Sequence, residues 1–208
     1  GEKRGDPGLD DRFWETVVQQ SLSGQTVTPD SAMRVAAVYA CVKVIAETIA
    51  SLPLILYRRE GNNKVRATDH PLYDVLAHRT TPWHTRFEWV EEMVTHLLLR
   101  GNGYNQIIES RAHEVDYLLP MHPDQITLEI KDNRIIYIFN NGDGRPQRLL
   151  PDRVIHFRAN SDGTFIGKGP IQQARDAVGT GQSIEQFLAD MFKNGVKLSG
   201  VLEHPEIL

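Results

Sequence analysis

The feature that most constrains this chain is a long apolar stretch between residues 32 and 59. Its large apolar side chains recur at steps of three and four residues, which is the spacing of one face of an α-helix. This spacing predicts a single core helix with one buried face, followed directly by a strand over 54–59. Ser31 or Asp30 is expected to cap the helix start, and Pro53 to end it. The predicted buried face consists of Val38, Val42, Ile45, Ile49 and Leu52.

Further periodic segments complete the predicted fold. The pattern predicts a hairpin with its second strand over 64–68, a short helix over 71–76, a long helix over 85–100 and a third long helix from about Pro170. Between the last two helices the apolar residues alternate, as in β-strands. We therefore predict an α+β fold in which long helices pack on an antiparallel β meander or small open barrel. The strands of that meander are predicted over 104–109, 115–119, 125–130, 135–139 and 154–158.

Length and charge limit the domain count and the kinds of partner. A chain of 208 residues with 40% hydrophobic composition can bury one core, or at most two. Residues 1–30 are polar and glycine-containing and are predicted to form a flexible lead-in, with the folded region over 31–208. The formal net charge of -4 provides no overall attraction to nucleic acid, so any DNA contact must be local. We expect no membrane association, because the apolar helix carries charged residues and no secretory pattern opens the sequence.

A glycine-rich loop over 162–170 is the first candidate for chemistry. A strand, a glycine loop and a helix start in that order can cradle a phosphate group. The spacing does not fit, because three residues separate Gly163 from Gly167-Lys168, whereas the phosphate-binding loop requires four. Gly169 also stands where a metal-binding Ser or Thr is needed. Glycines that allow close packing explain the loop better.

Neither the histidines nor the cysteine forms a pattern typical of a catalytic or metal site. The eight histidines show no ligand spacing, and His156 alternates with apolar residues in a predicted strand, where a hydrogen-bonded structural imidazole is expected. Cys41 lies in the predicted core helix, where burial would make its thiol unreactive. Glu91 and Glu92 are adjacent and diverge around a helix. We therefore predict no catalytic residues, no metal and no cofactor, and an α+β scaffold or interaction module.

The order of several short motifs resembles a known family. The first motif is the core helix, which ends in Ser51-Leu52-Pro53-Leu54, and a later one is Leu99-Arg100-Gly101-Asn102-Gly103-Tyr104. The order of the motifs and their approximate spacing match those of the family between residues 31 and 204. The chain resembles the portal proteins, or head-to-tail connectors, of long-tailed bacteriophages. It departs from the usual pattern at Gly103, where the family has alanine, and at Gly169, where it has serine. The other matching motifs are His70-Pro71-Leu72-Tyr73, Val154-Ile155-His156-Phe157, Asp162-Gly163, Gly167-Lys168-Gly169-Pro170, Phe192-Lys193-Asn194-Gly195 and Gly200-Val201-Leu202.

The resemblance implies a structural protein rather than an enzyme. It implies a ring of about twelve subunits at one capsid vertex, through which double-stranded DNA is packaged and ejected. The implied partners are the terminase large subunit, the major capsid and scaffolding proteins and a head–tail adaptor, and the implied location is the virion, with assembly in the host cytoplasm. Residues 31–208 would be a wing-like region that stops before or within the stem and clip.

Subunit contacts would then provide the stabilising energy, and aromatic residues are the usual anchors of such contacts. Each candidate anchor could equally belong to the domain core. The rival interpretation is a cytosolic phosphate- or nucleotide-handling enzyme that uses Asp162, Lys168 and His156 around the loop 162–170. The candidate anchors are Trp14, Trp83, Trp89, Tyr104 and Tyr117.

Overall fold

The computed structural model describes residues 21–110, 114–131, 134–161 and 163–194. Helices and three antiparallel sheets make up this part of the chain, which confirms the predicted α+β class. The helices are α1 (Pro29–Ala32), α2 (Ala36–Ser51), α3 (Pro71–Ala77), α4 (Arg86–Arg100), α5 (Pro170–Gln173) and α6 (Arg175–Lys193). The strands are β1 (Tyr57–Glu60), β2 (Asn63–Arg66), β3 (Asn102–Glu109), β4 (Val115–Met121), β5 (Ile126–Lys131), β6 (Arg134–Phe139), β7 (Gln147–Leu149) and β8 (Val154–Arg158).

The structure has two helices, α1 and α2, where the sequence predicts a single core helix. Thr28 caps α1 by accepting a hydrogen bond from the Ser31 amide, and the Ser31 hydroxyl in turn accepts from the Thr28 amide. The capping residue is therefore Thr28, and neither Ser31 nor Asp30 fills that position. The chain then leaves the helix before α2 begins, with Val35 in an extended conformation at its N-cap.

The face that α2 buries differs from the predicted one. Val42, Ala46 and Ala50 are buried at steps of four, whereas Ile45, Ile49 and Leu52 are exposed by 42%, 41% and 59%. A seam of small alanines lets α2 approach α4 closely and leaves the larger side chains outside. The prediction that Cys41 is hidden is wrong for the same reason, because its side chain is exposed.

Helix α4 is the best-specified element and lies at the centre of the largest core cluster. Thr85 and Glu88 form a capping box at its start, and Gly101 ends it in the left-handed conformation with φ of 74°. Arg86 donates hydrogen bonds to the carbonyls of Ala50 and Leu52 at 2.9 and 2.6 Å. The start of α4 thus satisfies the free carbonyls at the end of α2. Its buried side chains are Trp89, Val90, Met93, Val94, His96 and Leu99.

The strands form two separate three-stranded sheets and one hairpin. Strand β8 returns to pair with β3, which gives the order β4-β3-β8, while β5, β6 and β7 form a second sheet. No closed barrel is formed by the described strands. Strand β7 was not predicted, because its three residues show no clear alternation. The β1–β2 hairpin turns at Gly61, as predicted, and its two strands pair only with each other within the described chain.

The segment before α1 packs against α6. Val27, Ala32 and Val35 form a small core cluster with Val178, and the Leu22 amide donates to the Asp176 carboxylate at 2.9 Å. Residues 21–30 of the predicted lead-in are therefore part of this packing, and residues 1–20 lie outside the described residues. The first half of α6 is fixed here, whereas its second half is exposed.

Candidate functional site

The glycine-rich loop meets the end of α4 at a junction of backbones. We call Gly101, Asn102, Gly167 and Gly169 the glycine junction. The Asn102 side chain is 2% exposed and accepts a hydrogen bond from the Gly167 amide at 2.7 Å. Its amide group donates to the Gly167 and Arg100 carbonyls, both at 3.1 Å. One side chain thus joins helix α4, strand β3 and the loop.

Because the glycines of the junction have no side chains, the backbone of the loop lies in direct contact with the backbone at the end of α4. A Cβ atom on Gly167 would overlap the Gly101 carbonyl and lie 2.6 Å from the carbonyl oxygen of Ala159. The Lys168 amide donates to Ala159 at 3.0 Å, so this amide and that of Gly167 are already bonded within the protein. Helix α5 has only four residues. The described part of the loop, which excludes Asp162, therefore packs the fold, and it offers no cradle for a phosphate group.

His156 has the structural environment that the sequence predicts. Its Nε2 atom lies 3.1 Å from Oδ1 of Asn102, its Nδ1 atom 3.4 Å from the Tyr137 hydroxyl, and its ring stacks on Tyr104 at 4.3 Å. Burial, followed by the nearby positive charge of Arg158, lowers the pKa of His156 to about 4. The His156 side chain is therefore a neutral imidazole within the sheet formed by β4, β3 and β8.

A second buried histidine lies on α4 beside a charged cluster. His96 meets His122 edge to face at 5.2 Å, and Arg100 binds the Asp124 carboxylate at 2.8 Å. Burial, followed by His122 and Arg100, lowers the pKa of His96 to about 4. Arg100 is largely buried while its partner Asp124 is about half exposed, and the pair joins the end of α4 to the turn before β5.

We expect acid to destabilise the fold between pH 6.5 and 4. The unfolded chain binds protons on His96 and His156 more readily than the folded chain, so the contribution of both is complete above pH 6.5 and falls as the pH drops towards 4. Each histidine should contribute up to about 3 kcal/mol to this loss. Urea unfolding of the wild type and of His96→Gln from pH 7 to 5 measures the effect. The variant should lose less stability over this interval, and an equal loss would contradict the assignment to His96.

The structure places the predicted anchor residues in different environments. Trp89 and Tyr104 are each 4% exposed and lie in the core, where the Trp89 indole donates to Asn105 at 2.6 Å. Trp83 is 60% exposed and meets the partly buried Tyr117 edge to face at 6.2 Å. Trp14 lies outside the described residues. Trp83 and Tyr117 are therefore the candidate anchors found at the described surface.

Two helix surfaces expose large apolar side chains, of which Ile45, Ile49 and Leu52 were predicted to be buried. The α2 outer face consists of Val44, Ile45, Ile49 and Leu52, and the α6 stripe consists of Ile184, Phe187, Leu188 and Phe192. In the α6 stripe, Phe187 and Phe192 are 66% and 71% exposed. The stripe has the spacing of one helix face, so it is a contiguous apolar surface. Periodicity alone could detect this stripe, but it could not show that no other described element covers it.

The remaining classes of site find no support in the described part of the chain. No group of three or more potential metal ligands occurs among those residues. None of the helices described there is both long enough and apolar enough to cross a bilayer. The exposed apolar surfaces are the candidate functional features that we consider next to the family comparison.

Comparison with known proteins identifies the family. The family described as "Phage portal protein" matches residues 36–208, which is most of the sequence. The chain belongs to the phage portal protein family. It is 27% identical over 214 residues to the probable portal protein of Streptomyces phage phiC31, and 23% identical over 187 residues to the portal protein of Enterobacteria phage HK97. These alignments cover 95% and 89% of this chain but 47% and 44% of the relatives, so the chain spans about half their length.

Solved structures confirm the portal protein fold. The neck of an empty gene transfer agent particle, computed with C6 symmetry, matches with a TM-score of 0.71 at 23% identity, covering 92% of this chain and 53% of that chain. The neck of the native particle, computed with C12 symmetry, matches with a TM-score of 0.66 at 22% identity, covering 83% and 47%. The predicted resemblance to portal proteins is confirmed, and nothing in these comparisons supports the rival enzyme.

Proposed function

We propose that this portal family chain is the wing-like part of a subunit that forms a ring at one capsid vertex. Double-stranded DNA would pass through the ring during packaging and ejection. The observation that carries the proposal is the family match over residues 36–208. The similar neck structure computed with C12 symmetry supports a ring of about twelve copies.

The proposed partners and location follow from the same family membership. They are the terminase large subunit, the major capsid and scaffolding proteins and a head–tail adaptor, at the portal vertex of the virion and, during assembly, in the host cytoplasm. Residues 31–208 would form the wing-like region, which would stop before or within the stem and clip. The chain would act without catalytic residues or cofactors, so its work would be done by contacts between proteins.

The exposed apolar helix surfaces support a contact role. A ring needs two different complementary patches on each subunit, because every subunit touches one neighbour on each side. The α2 outer face and the α6 stripe are two exposed apolar patches on separate elements, and each would face one neighbour. If a phenylalanine side chain can bury about 150–250 Å², the two exposed phenylalanines of the stripe alone offer a sizeable apolar contact area.

Assembly of the complete gene product tests the proposed function. We expect native mass spectrometry to show a closed ring of about twelve copies for the wild type. Phe187→Asp with Phe192→Asp should reduce ring formation at least tenfold, because two charges would replace the apolar centre of the stripe. Gln186→Asp with Ala189→Asp adds the same two charges at exposed positions of the helix outside the stripe, and this matched control should still assemble. A wild-type protein that stays monomeric under assembly conditions would refute the ring.

A further inference from the structure

The β1–β2 hairpin separates its charges between two faces. Residues directly opposite each other in an antiparallel pair lie on the same face. The register pairs Tyr57 with Arg66 and Arg59 with Lys64, so these four side chains share one face, which we call the basic face. No acidic residue belongs to the basic face, and all eight residues of the two strands are exposed.

The opposite face carries no excess of positive charge. It carries Arg58, whose guanidinium binds the Asp69 carboxylate at 2.8 Å, together with Val65, Glu60 and Asn63. The cations of the basic face have no ion pair with any described residue. The hairpin therefore directs its unpaired positive charge to one side, on a chain whose net charge is -4.

The charges of the basic face destabilise the hairpin within the isolated chain. Arg59 and Lys64 are directly opposite each other, and like charges in that position destabilise a strand pair. A two-stranded hairpin is only marginally stable without further support. An anion bound across the basic face would remove this repulsion, so the geometry favours a bound state with a negatively charged partner.

We propose that the basic face binds the phosphate backbone of duplex DNA without sequence preference. Side chains two residues apart on one strand are about 6.8 Å apart along it. Because Arg59 and Lys64 also lie directly opposite each other, the three cations form a compact patch on an open surface rather than a pocket. A two-stranded ribbon also fits the major groove of DNA. This surface goes beyond the proposed ring contacts, which use α2 and α6.

A polyanion fits the basic face better than an acidic protein surface does. Arginine is enriched in protein interfaces, but their energetic centre is usually a set of buried aromatic or apolar anchors. The basic face offers only Tyr57 as an aromatic group, and it is half exposed beside three cations. Phosphates on the surface of a duplex can be contacted by clustered Lys and Arg side chains without an apolar centre.

Fluorescence anisotropy with a labelled 30-base-pair duplex of mixed sequence tests the proposal on the complete gene product. If three cations of each bound hairpin contact phosphates, the slope of log K against log salt concentration should be about -2.7 per hairpin. Arg59→Gln, Lys64→Gln and Arg66→Gln together should weaken binding at least tenfold at 50 mM salt and reduce the slope by that amount. These residues are exposed, so the variant should fold, which its thermal unfolding checks.

Two control variants test whether DNA binding depends on the cations of the basic face or on exposed cations in general. Lys131→Gln, Arg134→Gln and Arg145→Gln remove the same charge from exposed positions of the second sheet region and should leave binding within twofold. Arg58→Gln, on the opposite face of the hairpin, should do the same. Equal loss in both triple variants, or full binding by the hairpin variant, would overturn the proposal.

Competition separates DNA from an acidic protein partner. Unlabelled duplex should displace the labelled duplex, and poly-glutamate at equal charge concentration should displace it at least tenfold less well. Equal displacement would overturn the proposal and assign the basic face to an acidic polypeptide. Native mass spectrometry of the same variants should show intact rings. Intact rings without DNA binding would refute this inference alone, and loss of rings in the wild type would refute the proposed function.

Discussion

Gly167→Ala should lower the free energy of unfolding by about 3 kcal/mol or more. The added methyl group would overlap the Gly101 carbonyl and lie 2.6 and 2.7 Å from the backbone oxygen and nitrogen of Ala159. These are backbone atoms held by their own hydrogen bonds, since the Ala159 amide donates to Gly101 at 2.8 Å. No flexible side chain can move aside, so the loop must separate from the end of α4.

Gly103→Ala is the control for this prediction. Its Cβ would lie 3.4 Å from the Met93 sulfur, which is ordinary contact with the end of a flexible side chain. The sulfur can move slightly to accept the added methyl group, so we expect a change within about 0.5 kcal/mol. Urea unfolding at pH 7 measures both variants. Equal midpoints for the two would show that the glycine junction is not as closely packed as described.

Asn102→Ala should lower the free energy of unfolding by about 3 kcal/mol, because it leaves buried polar groups without partners. The Gly167 amide and Nε2 of His156 both lose the Asn102 oxygen, at 2.7 and 3.1 Å. The Gly167 carbonyl also loses a donor. Each unsatisfied buried group costs about 1–3 kcal/mol.

Hydrogen exchange distinguishes this effect from a general loss of packing. The Gly167 amide should exchange faster in Asn102→Ala, while the amides of α2 should change only as much as global stability does. Asn141→Ala is the control, since Asn141 bonds only within an exposed turn and should cost less than about 1 kcal/mol. Unchanged exchange at Gly167 would contradict the role given to Asn102.

Local signals explain which elements the sequence predicts well. Helix α4 begins with a capping box and ends at a glycine, and both signals lie within a few residues of the boundary they set. The hairpin turn and helix α3, with His70 at its cap, are specified in the same way. Such elements depend little on the rest of the fold, so their bounds were predicted within one or two residues.

Long-range packing explains the elements that the sequence predicts poorly. Helix α2 is apolar on most sides, so its periodicity cannot show whether the alanines or the larger side chains face α4. The pairing of β8 with β3 joins segments about fifty residues apart, and no local pattern encodes it. Asn102, between two glycines, reads as a turn residue, and only the structure shows the contacts it makes with the loop.

The attachment of α6 has a mechanical consequence. Its first half is held by Val178, Gly179 and the segment before α1, while residues 184–190 are exposed throughout. At 1.5 Å per residue, the part beyond residue 180 is about 20 Å long. A tilt of about 10° at its fixed half would carry the far end of such a rod by about 3.5 Å. A small angular change at the packed half of α6 would therefore become a displacement of atomic size at the apolar stripe, where the proposed subunit contact lies.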